Sequence, residues 1–119
     1  MHRLIVLRHA KAVNPFEAPD DHQRGLTPRG RSDAALMGAH LADIGWRPDR
    51  VIGSDASRVV QTWASAKTEL GTPELSLRPI LYLAEANQWH ALTHQVLAGA
   101  PAPQTLMLIG HNPGLHAFA

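Results

Sequence analysis

The chain has 119 residues, of which 45% are hydrophobic and 18% charged, and its formal net charge is +1. These values are typical of one folded domain over residues 1–119, and because the lysines and arginines are scattered we expect no nucleic-acid partner. The absence of cysteine excludes disulfides, thiolate metal sites and a cysteine nucleophile. The sequence shows no signal peptide and no run near ~20 apolar residues, which predicts a cytoplasmic protein with no membrane partner.

The first elements in chain order are a strand, a loop and a long helix. Residues 4–7 are continuously apolar and partly β-branched, which predicts a strand buried on both faces. The polar segment 13–25 contains two prolines and a glycine, so we expect a loop there. Thr27-Pro28 suits an N-cap followed by the first helical position, and we predict a helix over 28–44. The predicted apolar stripe of this helix is Ala34, Met37, Leu41 and Ile44.

The later elements alternate between strands and helices. The short run at residues 50–53 predicts a strand, and the segment from Ser54 to Ser57 predicts the cap of a helix. A weaker strand over 75–80 contains Pro79, which would confine it to a sheet edge or end it early. The next predicted elements are a helix over 87–97, a strong strand over 105–109 and a turn over 110–113 into another helix. The predicted buried residues of the two middle helices are Val59, Trp63, Ala66 and Leu70, and Trp89, Leu92 and Val96.

The element order is β-α-β-α-β-α-β-α, which predicts a mostly parallel central sheet covered by helices. Ligands of such sheets bind at the carboxyl ends of the strands. Polar residues follow three of the predicted strands, namely Arg8 and His9, then Ser54 with Arg58, then His111. Arginine forks match the oxygens of a tetrahedral anion, and a neutral histidine can accept a phosphoryl group covalently. We therefore predict a phosphoryl-transfer site, with Ser54 as a candidate substrate-binding residue.

Three motifs carry a family resemblance. The segments "LRHAKA", "SDASRVVQT" and "LIGHNPG" resemble the signatures of the histidine phosphatase superfamily, in the same order along the chain. The forms "RHAK" and "GHNPGL" are similar to its small bacterial branch, the phosphohistidine phosphatases of the SixA type. This resemblance implies a three-layer α/β/α fold of the phosphoglycerate-mutase-like kind.

The resemblance also implies roles for individual residues. His9 would be the phosphorylated nucleophile, and Arg8, Arg58 and His111 would form the phosphate pocket. The segment "DDHQRGLTPRG" is similar to the family segment that leads into the first helix, so Arg24 is a further candidate pocket arginine. Neither a metal nor another cofactor is implied.

Three features depart from the family pattern. Ala10 stands where most members have glycine, and the SixA branch tolerates alanine at this position. Glu85 is a possible general acid, but its register is not secure and we expect the reaction not to depend on it. An imidazole leaving group can carry its own proton because its pKa lies near ~6.5, so a site without a strong acid favours phosphohistidine over sugar phosphates. The chain ends at Ala119, where family domains continue, so we expect a C-terminally incomplete domain with an open sheet edge.

The sequence therefore predicts a metal-independent phosphohistidine phosphatase acting on a signalling or phosphotransfer protein. A phosphatase of a small phosphorylated metabolite and a non-catalytic phosphate- or phosphohistidine-binding module remain open. His90 and His94 are spaced like metal ligands, yet without a matching carboxylate they predict a solvated helix face. The residues expected at the surface or in loops are His2, His22, His40 and His116, and those expected only in packing are Trp46, Gln61, Thr62, Trp63 and Trp89.

Overall fold

The computed structural model describes residues 3–119, so the expectation for His2 lies outside the described residues. Within that range, the strands are β1 (Arg3–Arg8), β2 (Arg50–Ser54), β3 (Glu74–Arg78) and β4 (Thr105–Gly110). The α-helices of the same range are α1 (Pro28–Asp43), α2 (Ser57–Ala66), α3 (Ala86–Ala98) and α4 (Gly114–Phe118). The described strands form one parallel sheet in the order β1-β4-β2-β3.

The two faces of the sheet are covered by different helices. One core cluster joins the sheet to α1 and α2 and contains Ile5, Leu41, Val51, Val59, Trp63 and Met107. The other joins the opposite face to α3 and α4 and contains Ile52, Trp89, Leu92, Val96, Leu108 and Leu115. The predicted three-layer α/β/α fold with a parallel central sheet is confirmed.

β1 corrects one sequence-based expectation. A continuously apolar run predicts burial on both faces, yet β1 pairs only with β4 and forms one edge of the described sheet. Leu4 is consequently 41% exposed. The strand that is buried throughout is β4, which lies between β1 and β2. β3 forms the other edge and ends before Pro79, as predicted.

The predicted buried face of α1 is confirmed at Ala34 and Leu41 and wrong at Met37 and Ile44. Met37 and Ile44 are 42% and 49% exposed, because the helix turns its small residues inward. The buried residues of α1 are Gly30, Ala34, Gly38, Leu41 and Ala42. A Cβ built on Gly38 would lie 2.0 Å from the carbonyl oxygen of Ala66. Close backbone contact between α1 and α2 therefore fixes which side of the helix faces the core.

Helix α2 begins without the predicted serine cap. Its N-cap residue is Ala56, which has no side-chain cap. The Ser54 hydroxyl accepts only a long bond from the Ala56 N–H, at 3.4 Å, and lies 2.7 Å from the ring of His111. The serine that looked like a cap is therefore engaged with a histidine. Among residues 3–119, no helix has the length and apolar character needed to cross a membrane.

Candidate active site

The carboxyl ends of two neighbouring strands bring two histidines together. His9 follows β1 and His111 follows β4, and the His9 backbone N–H donates to the Gly110 carbonyl at 3.1 Å. The two imidazole rings lie with their centroids 5.3 Å apart. Gly110 has no room for a side chain, because a Cβ there would lie 2.3 Å from the Trp89 ring. The sheet register and this tight packing fix the separation of the two rings.

His9 has one ring nitrogen that is free for chemistry. Its Nδ1 lies 2.7 Å from the Ala10 carbonyl oxygen, which can only accept, so Nδ1 carries the proton and donates. In the neutral ring Nε2 is then unprotonated and has a lone pair available. Burial lowers the pKa of His9 below its ordinary 6.5, and the bond to Ala10 partly opposes this shift. The positive charges that lower this pKa further belong to Arg58, Arg8 and Arg24.

His111 has one ring nitrogen paired and the other unpaired. The Ser54 hydroxyl forms a hydrogen bond of 2.7 Å with His111 Nε2, and the direction of this bond depends on the tautomer of the ring. Nδ1 is buried and has no hydrogen-bond partner among residues 3–119. Burial, and next the charge of Arg58, lowers the pKa of His111 to about 4. His111 is therefore a buried, neutral imidazole at neutral pH.

Arg58 is the buried cation of the site. It is only 4% exposed, although it lies in the first turn of α2. Its guanidinium donates to the Asp21 carbonyl oxygen at 2.7 Å and to Asp21 Oδ2 at 3.0 Å. Because its charge lowers the pKa of both His9 and His111, Arg58 is close enough to act on both rings.

Arg8 and Arg24 lie beside His9 at a second part of the site. Together with Ala10, Lys11 and Ala12, these residues line a cavity of about 400 Å³. Arg24 is held by two contacts, from Nε to the Val13 carbonyl at 3.1 Å and from a terminal nitrogen to Asp21 Oδ1 at 2.9 Å. The structure therefore brings all three predicted arginines around the two histidines, whereas Ser54 is fully buried and contacts His111.

Glu85 lies apart from these residues. It is exposed and occupies the N-cap of α3, where its backbone N–H donates to Gln88 Oε1 at 2.9 Å. The groove that it lines runs along Pro113 and Gly114 and does not include His9. A role as general acid stays an unsupported prediction for this residue.

Sequence reasoning missed three polar residues of the site. Asp21 binds both Arg24 and Arg58, and the Tyr82 hydroxyl donates to its carboxylate. The Tyr82 ring stands edge-on to His111 with centroids 5.5 Å apart. His22 pairs with Asp55 at 2.8 Å and packs against the Tyr82 ring, so it is not simply a loop histidine. These residues lie in irregular segments between the periodic elements, where the pattern of side chains does not indicate spatial neighbours.

Gln61 and Thr62 also do more than pack the helix. Thr62 Oγ1 accepts from the Ala10 N–H at 2.9 Å and donates to the Arg58 carbonyl at 2.7 Å. Gln61 Oε1 accepts from the Leu26 N–H at 2.7 Å. The two side chains therefore tie α2 to the segments that carry His9 and Arg24. The expectation of ordinary packing was wrong for both.

Replacing Thr62 by valine is expected to lower kcat/KM about tenfold, because the partly buried Ala10 N–H loses its acceptor beside His9, the predicted nucleophile. Thr62→Ser keeps the hydroxyl and is the matched control, with activity near that of the parent. Steady-state kinetics on one phosphorylated substrate measure both. Equal activity of the valine and serine variants would show that this bond does not hold His9 in place.

The other singled-out residues have structural positions. His40, His90, His94 and His116 are exposed, as predicted. Trp63 and Trp89 are buried in the two core clusters, and Trp46 packs against the first. In the described part of the chain, no three His, Cys, Asp or Glu side chains are placed to hold one metal ion.

The fold and the histidine-lined edge of its sheet define an α/β protein of the phosphoglycerate-mutase-like class. Residues 4–113 match the sequence model of the histidine phosphatase superfamily, branch 1. The chain therefore belongs to the histidine phosphatase superfamily, and the resemblance of its three motifs is confirmed.

The chain is also similar to individual relatives and to solved structures. The chain is 32% identical, over 94% of its length, to an uncharacterised chloroplast protein of Arabidopsis thaliana, and spans 55% of that protein. It is 30% identical, over 69% of its length, to the mitochondrial serine/threonine-protein phosphatase Pgam5 of Drosophila willistoni, of which it spans 28%. It is also 30% identical to the candidate phosphohistidine phosphatase SixA of Agrobacterium tumefaciens, with a TM-score of 0.87 over 98% of this chain and 73% of that one.

Proposed function

We propose that the protein is a metal-independent phosphohistidine phosphatase that works through a phosphoryl group carried on His9. The observation that carries the proposal is a free nucleophilic nitrogen among arginine charges. His9 has its proton on Nδ1 and a free lone pair on Nε2, and the charges of Arg58, Arg8 and Arg24 act on the same ring. A similarity to SixA structures at 30% identity supports phosphohistidine in a signalling or phosphotransfer protein as the substrate.

The first chemical step would transfer the phosphoryl group to the enzyme. His9 Nε2 attacks phosphorus and forms a new P–N bond, while the bond from phosphorus to the leaving atom breaks and its electron pair goes to that atom. Negative charge on the phosphoryl oxygens is met by the surrounding arginines, which supply the positive charge that such transfers need, while the neutral ring of His111 lies beside His9. Water then attacks the phosphoryl group on His9 and forms a new P–O bond, the P–N bond breaks with its electron pair returning to Nε2, and inorganic phosphate leaves with the protons of the water.

The leaving group is the reason to favour phosphohistidine. An alkoxide needs a proton donor, and the one candidate carboxylic acid, Glu85, lines a different groove. Asp21 is not an acid at neutral pH either, because the hydroxyl of Tyr82 and then Arg58 hold the pKa of its carboxyl below the ordinary value. A phosphorylated imidazole whose ring is already protonated can leave without such a donor.

A substrate panel tests the proposal. The parent and a His9→Ala variant would be incubated with a phosphohistidine protein and with alkyl and aryl phosphate monoesters, each with and without a metal chelator. We expect kcat/KM on phosphohistidine to exceed that on alkyl phosphates by about 100-fold or more, corresponding to over ~2.7 kcal/mol in the barrier, and to be unchanged by the chelator. Equal turnover of an alkyl phosphate would favour a metabolite phosphatase, and phosphate binding without turnover would favour a binding module.

The buried histidine predicts a pH dependence of stability. The folded-state pKa of His111 is about 4, whereas its ordinary value is near 6.5, so the unfolded chain binds more protons between these values. The contribution of neutral His111 to the free energy of unfolding is complete above about pH 6.5. It is lost as the pH falls towards 4, and its size is up to about 3 kcal/mol. Urea unfolding at about pH 7 and about pH 4.5 should show a smaller loss for His111→Gln than for the parent. Equal losses would contradict the neutral buried state of His111.

A further inference from the structure

Asp21 contacts both Arg24 and Arg58. Its Oδ1 accepts from Arg24 at 2.9 Å, its Oδ2 accepts from Arg58 at 3.0 Å, and its backbone carbonyl accepts a second bond from Arg58 at 2.7 Å. The Tyr82 hydroxyl donates to the same Oδ2. A single aspartate therefore links two predicted phosphate-binding side chains.

The arrangement fixes the plane of the Arg58 guanidinium. A guanidinium that is 4% exposed must find acceptors within the protein, and two of its N–H groups are taken by Asp21. Two bonds from different nitrogens to one residue leave the fork little rotational freedom. The donors that remain on Arg58 then keep a fixed direction when phosphate binds.

The Asp21 segment is itself held in place, so the aspartate is a fixed support. It begins the 3-10 turn Asp21–Gln23, and the preceding Asp20 caps that turn by accepting from the Gln23 N–H at 3.0 Å. The next residue, His22, pairs with Asp55 at the start of the segment that leads into α2. Asp21 therefore holds a defined position between its neighbours, with its side chain 44% exposed.

We propose that Asp21 is a positioning residue that orients Arg58 and Arg24 toward the phosphoryl group. This inference rests on the proposed phosphatase function. The negative charge of Asp21 also opposes binding, because a carboxylate repels a nearby phosphate. Any net gain in turnover from Asp21 therefore has to come through the two arginines. Two consequences follow: loss of the Asp21 charge lowers turnover, and this loss becomes smaller once Arg58 is absent, because only Arg24 then remains for Asp21 to orient.

The test compares Asp21→Asn with Asp43→Asn, which makes the same charge change on an exposed residue at the end of α1. We expect Asp21→Asn to lower kcat/KM by about 10- to 30-fold, mainly through kcat, and Asp43→Asn to leave it near the parent value. In an Arg58→Ala background, Asp21→Asn should add less than about threefold, because residues that act together are not additive. Thermal unfolding of each variant separates these effects from loss of fold.

Two results would overturn the inference. One is an Asp21→Asn variant that binds vanadate more tightly and turns over as fast as the parent, which would make Asp21 a competitor of phosphate. The other is an equal loss from Asp21→Asn with and without Arg58. Phosphorylation of the parent protein on His9 separates this inference from the proposed function. If His9 becomes phosphorylated and either result holds, only the role of Asp21 is wrong. If His9 never becomes phosphorylated, the proposed function itself is wrong.

Discussion

Replacing His9 by alanine is expected to reduce phosphatase turnover by about 10⁴-fold or more, as for the loss of other covalent nucleophiles. His111 is not placed to attack in its stead, since its Nε2 is engaged with the Ser54 hydroxyl and its Nδ1 is buried. The rate of phosphate release from a phosphohistidine protein measures the loss.

The matched control for this substitution is His90→Ala, which removes an exposed histidine from α3. We expect this variant to keep the activity of the parent and a similar unfolding temperature. The His9→Ala variant should also stay folded, because His9 is only partly buried. Turnover by His9→Ala above about one per cent of the parent rate would show that a different group attacks phosphorus.

Replacing Arg58 by alanine should lower kcat/KM by about 10²- to 10³-fold, the usual loss when one preorganised donor to a developing oxyanion is removed. The cause is the removal of a buried charge that acts on both His9 and His111. Arg58→Lys keeps the charge but loses the fork, so it should recover only part of the activity. Steady-state kinetics with each variant give the comparison.

The control for Arg58 is Arg29→Ala, since Arg29 is an exposed arginine of α1 whose side chain is 85% accessible. This variant should have the kinetics of the parent. A second readout is the acid limb of the pH–rate profile, because loss of the Arg58 charge removes one cause of the lowered pKa of His9. In Arg58→Ala this limb should move to higher pH, and an unmoved limb together with full activity would exclude Arg58 from the pocket.

Much of the site was predictable because it lies where periodic elements end. Apolar runs mark the strands, and parallel strands place their carboxyl ends at one edge of a sheet. His9, Arg58 and His111 therefore came together in the structure as residues that follow three such runs. The bounds of α1 were predicted within one residue because Thr27 caps the helix through its side chain, accepting from the Gly30 N–H at 2.9 Å.

The rest depended on contacts that periodicity does not encode. Asp21 and Tyr82 lie in irregular segments 61 residues apart and meet only in the folded chain. The edge position of β1 depends on which strands pair, and an apolar run looks the same at the edge and in the centre. The buried face of α1 is set by the contact of Gly38 with the Ala66 carbonyl, whereas a search for large apolar residues selects Met37.

The measurement that tests the central claim most directly is trapping of the phosphoryl enzyme. The parent would be mixed with an excess of a radiolabelled phosphohistidine protein, quenched within milliseconds in base, and digested for mass spectrometry of the peptide that contains residues 4–12. We expect an acid-labile, base-stable phosphate on His9 that appears before free phosphate and is absent in His9→Ala. Release of free phosphate at the full rate with no phosphate on His9 at any time would contradict the covalent mechanism.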